Sequence, residues 1–71
     1  MPKYPILRPK ELTKALTKKG FKFKSQKGSH AKYSDGKHNV IIPMHNTIAP
    51  NTLRDILQQT GITLDELLGL L

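Results

Sequence analysis

The stretch FKFKSQKGSHAKYSDGKHNVIIP, residues 21–43, decides the fold of this chain. Its first four residues, Phe21 to Lys24, alternate apolar and basic side chains with period two, which predicts a strand with one buried face. Residues 25–29 are polar and include Gly28, a pattern typical of a turn. We therefore predict that the chain begins this stretch as a strand and reverses direction near Gly28.

Two further short strands follow in the same stretch. They are predicted over residues 30–33 and residues 39–43, the second because it is rich in β-branched side chains and ends at a proline. The Asp35-Gly36 pair between them is a strong signal for a two-residue hairpin loop. The three strands are therefore expected to form one antiparallel sheet.

Helices are predicted before and after this sheet. Pro9 fits the first turn of a helix that runs to Lys19, and Gly20 fits the left-handed position after its end. A second helix is predicted from Pro50 to Gly61. Thr63 and Glu66 have the capping-box spacing that starts a third, short helix.

The element order α-β-β-β-α-α predicts an α+β fold with the helices on one face of a three-stranded antiparallel sheet. A chain of 71 residues has the length of one domain. We expect that domain over residues 6–71, after an extended leader at residues 1–5, where two prolines disfavour a helix.

The charge of the chain is unevenly distributed. The net charge is +7. Residues 1–38 carry 11 basic and 2 acidic side chains, whereas residues 39–71 carry 1 basic and 3 acidic side chains. One part of the surface is therefore expected to attract a polyanion such as nucleic acid, and a solvated lysine-rich surface is the alternative.

Composition excludes several classes of protein. The chain has no cysteine, which excludes a disulfide framework, a thiolate zinc site and a cysteine nucleophile. No apolar run approaches the roughly 20 residues of a membrane span, and no signal-peptide pattern opens the chain. We therefore expect a cytoplasmic protein that does not cross a membrane.

The predicted hairpin also assigns side chains to the two faces of the sheet. If Ser34 pairs with Lys37, counting outward places His30 opposite Ile41. Alternation then divides the strands into a core face and an open face. The core face is predicted to receive Phe21, Phe23, Ala31, Tyr33, His38, Val40 and Ile42. The open face is predicted to receive Lys22, Lys24, His30, Lys32, Asn39 and Ile41.

His30 is the best-placed residue in the chain for proton transfer near neutral pH. Four lysines lie near it in sequence and are suited to holding a phosphate backbone, namely Lys22, Lys24, Lys27 and Lys32. A histidine among lysines indicates chemistry on RNA as well as binding. An exposed histidine without a catalytic role is the alternative.

The three histidines do not form a metal-binding motif. His30, His38 and His45 lie on different predicted elements, and no carboxylate is close in sequence to His30 or His45. The chain also lacks a glycine-rich phosphate loop and the paired acidic residues of glycosidases or two-metal nucleases. We therefore expect no metal and no cofactor.

Several short motifs together resemble one protein family. Residues 28–33, GSHAKY, match the Gly-Ser-His-x-x-Tyr signature of the HicA (YcfA-like) mRNA interferase toxins, and Asp35-Gly36 matches their hairpin turn. Residues 42–45, IPMH, are similar to their apolar-Pro-x-His strand end, and residues 51–61 resemble their second-helix segment. The resemblance covers residues 6–71, with Asn51 in a position where many members have glycine.

This resemblance implies a fold similar to double-stranded-RNA-binding domains and a toxin of a type II toxin–antitoxin system that cleaves mRNA. The essential histidine of the family falls on His30. The expected RNA-binding residues are Lys22, Lys24, Lys27, Gly28, Ser29 and Lys32. The implied partners are mRNA and a HicB-type antitoxin. We expect metal-independent cleavage by the neighbouring 2′-hydroxyl, with His30 as general base or general acid.

Two other functions fit the sequence. The same fold can serve as a non-catalytic RNA-binding or regulatory module, in which the lysines are needed and His30 is not. Alternatively, the five leucines in the last eight residues form a surface for another protein. The role of His45 and the identity of a second proton carrier stay open at this point.

Overall fold

The computed structural model describes residues 3–71 and contains three helices and three strands. The helices are α1 (Pro9–Lys18), α2 (Pro50–Thr60) and α3 (Leu64–Leu70). The strands are β1 (Lys22–Lys27), β2 (His30–Ser34) and β3 (Asn39–Pro43). They form one antiparallel sheet in the order β1-β2-β3. The predicted α+β fold is confirmed, and its element order agrees with a double-stranded-RNA-binding-domain-like architecture.

The segment before α1 is held against the rest of the protein. Tyr4 packs against the hydrophobic core, and Leu7 is buried. Leu7 forms an antiparallel bridge with Ile48, whose N–H donates to the Leu7 carbonyl oxygen at 2.6 Å. Of the predicted leader over residues 1–5, residues 1 and 2 lie outside the described residues. The bridge brings the start of α1 beside the connection between β3 and α2.

The helix ends follow the predicted signals. Proline occupies the first turn of both α1 and α2, and Gly61 ends α2 with a φ of +74°. A left-handed residue at this position is typical of helix C-termini, where glycine carries no steric penalty. The predicted capping box of α3 is confirmed, because Thr63 and Glu66 exchange hydrogen bonds between side chain and backbone at 3.1 Å each.

One hydrophobic core lies between the helices and one face of the sheet. Its largest fully buried side chains are Phe21, Leu12, Leu16, Ile42, Ile48, Leu53, Ile56, Leu67 and Val40. Three other leucines of the C-terminal segment are less well covered than Leu67: Leu64 is partly buried, while Leu68 and Leu71 are 48% and 51% exposed. The end of α3 therefore contributes only part of its apolar surface to the core.

The first strand is longer than the sequence predicts. β1 continues to Lys27, and the turn that follows consists of only Gly28 and Ser29. Gly28 has a φ of +60°, which suits the first central position of a two-residue hairpin loop with a glycine there. The polar residues predicted as turn instead pair with β2. They are tolerated in a strand because every residue of β1 is exposed.

The prediction that Phe23 belongs to the core is wrong, because its side chain is 54% exposed whereas Phe21 is 2% exposed. Phe23 pairs with Tyr33 across β1 and β2, and the two rings meet edge to face with centroids 5.7 Å apart. Helix α2 packs on β3, which is the opposite edge of the sheet. The helical layer therefore does not cover Phe23 on β1.

The loop between β2 and β3 has four residues instead of the predicted two. Ser34 pairs with Asn39, so the predicted pairing with Lys37 is wrong. The Asp35 carboxylate explains the wider loop: its Oδ1 accepts hydrogen bonds from the N–H groups of Lys37 and His38 at 2.8 and 2.6 Å. The loop thereby satisfies its own amides, as aspartate commonly does in turns.

Candidate nucleic-acid interface

His30 is the first residue of β2 and directly follows the Gly28-Ser29 turn. It pairs with Lys27 on β1 and with Pro43 on β3, and its side chain is exposed. The predicted pairing of His30 with Ile41 is therefore wrong by two residues. Because side chains alternate with period two, a shift of two preserves the face, and His30 lies on the open face as predicted.

Two more rows of paired residues complete this face. Lys32 lies between Ser25 on β1 and Ile41 on β3, and Lys22 pairs with Ser34. Directly paired residues in an antiparallel sheet project to the same side. We call this surface the open face, and its exposed members are Lys22, Ser25, Lys27, His30, Lys32, Asn39 and Ile41.

Lys24 has a different position from the other predicted lysines. The register between β1 and β2 shifts between Phe23 and Ser25, which leaves Lys24 without a partner on β2. Such a bulge bends the strand and re-aims the side chains around it. The lysine is exposed at the edge of the sheet. The structure therefore assembles Lys22, Lys27 and Lys32 with His30 and places Lys24 beside them.

No acidic side chain neutralises these lysines within residues 3–71. The ion pairs of that part of the chain join Lys19 to Glu66, His38 to Asp35 and Arg54 to Asp55. None of the four lysines near His30 takes part in them. The open face therefore carries an uncompensated positive charge, which is the electrostatic requirement for binding a phosphate backbone.

Hydrogen bonds from β1 and from the end of β3 hold the Gly28-Ser29 turn beside His30. The Gln26 side-chain amide donates to the Gly28 carbonyl oxygen at 3.0 Å, and the Met44 N–H donates to the Ser29 carbonyl oxygen at 2.6 Å. A Cβ at Gly28 would meet no atom within 4 Å, so the backbone angle and not crowding explains the glycine. The turn thus gives His30 a defined position at the end of the sheet.

The other two histidines have different surroundings. His38 lies in the β2–β3 loop, where its Nδ1 is 3.1 Å from Asp35 Oδ2 and its ring is 6.5 Å from that of Phe21. Hydrogen bonds from the backbone of His38 and Lys37 lower the pKa of Asp35 to about 2. His45 follows β3 in the connection to α2. Of the three, only His30 lies in a strand of the sheet.

One feature of the site is not apparent from the sequence. A groove of about 570 Å³ lies between the start of α1 and the β3–α2 connection. It is lined by Arg8, Pro9, Lys10, Met44, His45, Asn46 and Thr47. The sequence separates its two sides by more than 30 residues, and the Leu7–Ile48 bridge brings them together. Neither segment contains a sequence pattern that predicts its position beside the other.

The structure also bears on metal binding and on membrane insertion. Among residues 3–71, no three histidine or acidic side chains are close enough to hold a metal ion together. In the same part of the chain, no helix has both the length and the apolar character needed to cross a bilayer.

Comparison with protein families gives a match over most of the chain. The family model described as HicA toxin of bacterial toxin-antitoxin matches residues 9–62. That range begins with α1, includes the whole sheet and α2, and stops before α3. A search of curated proteins finds no match to the chain.

Proposed function

Because the chain belongs to the HicA toxin family of bacterial toxin–antitoxin systems, we propose that it is an endoribonuclease that cleaves mRNA through His30. The observation that carries this proposal is the row formed by Lys27, His30 and Pro43. An exposed imidazole lies there beside a lysine that has no ion-pair partner within residues 3–71. This arrangement brings together a proton-transfer group and a phosphate-binding group.

Substrate binding in this proposal uses the lysines of the open face. Directly paired residues of an antiparallel sheet have Cα atoms about 4.5–5.5 Å apart, so Lys27 and His30 can contact the same phosphate. Lys32 lies in the next row, and Lys22 lies in the row beyond it, so an RNA strand that crosses the sheet meets a cation in each row. Gly28 and Ser29 present the backbone of the turn beside His30, and Lys24 adds charge at the edge.

The proposed reaction is an internal transesterification. The 2′-hydroxyl oxygen attacks the adjacent phosphorus, the bond from phosphorus to the 5′-oxygen breaks, and the products carry a 2′,3′-cyclic phosphate and a 5′-hydroxyl. His30 either accepts the proton of the 2′-hydroxyl or donates a proton to the departing 5′-oxygen. Since the face is exposed, water exchanges the other proton. A lysine ammonium beside the phosphate stabilises the charge that develops on its oxygens.

Regulation in this proposal depends on an antitoxin, which is the partner that membership of a toxin–antitoxin family implies. A HicB-type antitoxin with an acidic surface over the open face would compete with RNA for the same lysines. That complex should weaken as salt concentration rises, and Lys32→Glu should weaken it further. Binding that is insensitive to both changes would exclude this mode of inhibition.

The test of the proposed function compares the parent with His30→Gln and with His38→Gln as the matched control. Each folded variant is incubated with an RNA oligonucleotide and with the same oligonucleotide carrying 2′-deoxyribose throughout. We expect His30→Gln to lose about 10²–10⁴-fold in cleavage rate, because general acid–base catalysis contributes that much. His38→Gln should cleave like the parent, and the deoxy oligonucleotide should stay intact.

The same experiment separates the proposal from its alternative. Cleavage of the deoxy oligonucleotide at the rate of the RNA would exclude attack by the 2′-hydroxyl. If the parent binds RNA without cleaving it, and His30→Gln binds equally well, the chain is a binding or regulatory module and not a ribonuclease.

A further inference from the structure

The groove between α1 and the β3–α2 connection differs from the open face in shape. The open face is a strand surface, whereas the groove has a volume of about 570 Å³ between two chain segments. Ligand pockets in proteins commonly have about 300–1,000 Å³. The groove is therefore large enough for one nucleotide of a single strand.

The charge of the groove favours an anion. Arg8 and Lys10 line it with exposed side chains, and neither belongs to an ion pair within residues 3–71. The nearest acidic residue in sequence is Glu11, whose Oε1 accepts a hydrogen bond from the backbone N–H of Arg8 at 3.0 Å. Glu11 lines a different depression, together with Lys14 and Lys18. No acidic residue is among those that line the groove.

The groove is also continuous with the His30 row. Pro43 pairs with His30, and the Met44 N–H donates to the carbonyl oxygen of Ser29. Met44 then lines the groove and packs against the core. His45, which also lines the groove, is two residues beyond Pro43, a chain distance of at most about 7 Å. A single strand that contacts His30 can therefore reach the groove within a few nucleotides.

We propose that this groove is a second RNA-backbone subsite, in which Arg8 and Lys10 hold a phosphate of the strand that extends from His30. The inference rests on the proposed function and adds to it the path of the substrate beyond the cleaved bond. A single strand lies across the open face, passes the Gly28-Ser29 turn and continues between α1 and the β3–α2 connection. Affinity for RNA then depends on strand length as well as on charge.

The test measures binding separately from cleavage. The His30→Gln chain is titrated with a labelled single-stranded RNA of about eight nucleotides, a length within the site sizes of small single-strand-binding domains, and fluorescence anisotropy is followed over a series of salt concentrations. The groove variant adds Arg8→Gln and Lys10→Gln. The matched control adds Lys14→Gln and Lys37→Gln, which remove the same charge from α1 outside the groove and from the β2–β3 loop.

Loss of the one phosphate that Arg8 and Lys10 hold should reduce the slope of log affinity against log salt by about 0.7, the contribution of each neutralised phosphate on a single strand. The control should keep the slope of the His30→Gln chain. Shortening the RNA to about four nucleotides, the lower end of such site sizes, should remove most of the difference between the groove variant and the control.

Three results would overturn the subsite. Equal slopes for the groove variant and the control would show that only net charge matters and would count against it. A groove variant that binds like the His30→Gln chain would also count against it, while cleavage by the parent would leave the proposed function standing. Failure of both the parent and the His30→Gln chain to bind RNA would overturn the subsite and the proposed function together.

Discussion

Lys27 and His30 are paired directly across the β1–β2 hairpin, on either side of a turn of only two residues. Their side chains therefore project to the same side of the sheet. This pairing distinguishes Lys27 from the other lysines of the open face, which lie in rows farther from His30. In the proposed reaction, its ammonium is the one placed to contact the phosphate on which His30 would act.

Lys27→Gln should reduce kcat/KM for RNA cleavage by about 10–100-fold, because a hydrogen bond to a charged group contributes about 1.5–3 kcal/mol. Lys27→Arg should retain most of the activity, since it keeps the positive charge. Lys37→Gln is the control, because Lys37 lies in the β2–β3 loop. Steady-state cleavage of a labelled RNA measures all three. Equal losses for Lys27→Gln and Lys37→Gln would contradict a specific role for Lys27.

Gly28→Ala should destabilise the protein by about 1–2 kcal/mol, because an L residue other than glycine is strained in the left-handed region. The φ of Gly28 is +60°, and a Cβ there meets no other atom. Gly69→Ala is the matched control, since Gly69 lies in α3 and also has open space around it. It should stabilise the helix by about 0.5–1 kcal/mol. Urea denaturation measures both, and a stabilising Gly28→Ala would show that the turn geometry is wrong.

Acid should destabilise the protein partly through Glu66. A hydrogen bond from Lys19 and hydrogen bonds from Thr63 lower the pKa of Glu66 to about 2. Because the folded pKa lies below the unfolded pKa, this carboxylate stabilises the fold above the unfolded value, and its contribution disappears as pH falls towards 2. Glu66→Gln should therefore flatten the loss of thermal stability between about pH 4.5 and pH 2.

Asp65→Asn serves as the control for this pH dependence, because Asp65 also lies in the first turn of α3. Asp65→Asn should change the dependence of thermal stability on pH less than Glu66→Gln does. If melting temperature falls with acid equally steeply in the parent and in Glu66→Gln, the Lys19–Glu66 pair does not contribute in solution.

Phe21→Ala and Phe23→Ala should differ strongly in stability although they remove the same atoms. Phe21 is buried in the core, and its truncation should cost about 3–5 kcal/mol. Phe23 is more than half exposed and retains mainly the edge-to-face contact with Tyr33, which is worth about 0.5–1.5 kcal/mol. Guanidinium denaturation at neutral pH measures both. Similar losses would mean that Phe23 is covered in solution.

The sequence predicts the parts of this fold that depend on local signals. Proline and glycine mark the ends of α2, and the Thr63–Glu66 spacing marks the start of α3. The face of His30 is also predicted, even though its partner is Pro43 and not Ile41. Because the error in pairing is two residues, side-chain alternation still assigns His30 to the correct face although the predicted loop length is wrong.

The features that the sequence does not predict depend on contacts between distant segments. The second half of β1 is polar, because an exposed edge strand does not need apolar side chains at every second position. Without that alternation, the sequence of this half resembles a turn. The exposure of Phe23 depends on where α2 packs. The groove depends on the Leu7–Ile48 bridge, and neither Arg8 nor Lys10 has any sequence signal that connects it with His30.

The bulge at Lys24 has a consequence for the behaviour of the protein at high concentration. β1 is an edge strand whose outer backbone groups could template the strand of another molecule. Lysines along that edge and an interrupted register both disfavour such a template, because added strands would bring like charges together and would lose regular pairing. The basic residues of β1 therefore protect the sheet from edge-to-edge aggregation, independently of any nucleic acid that they bind.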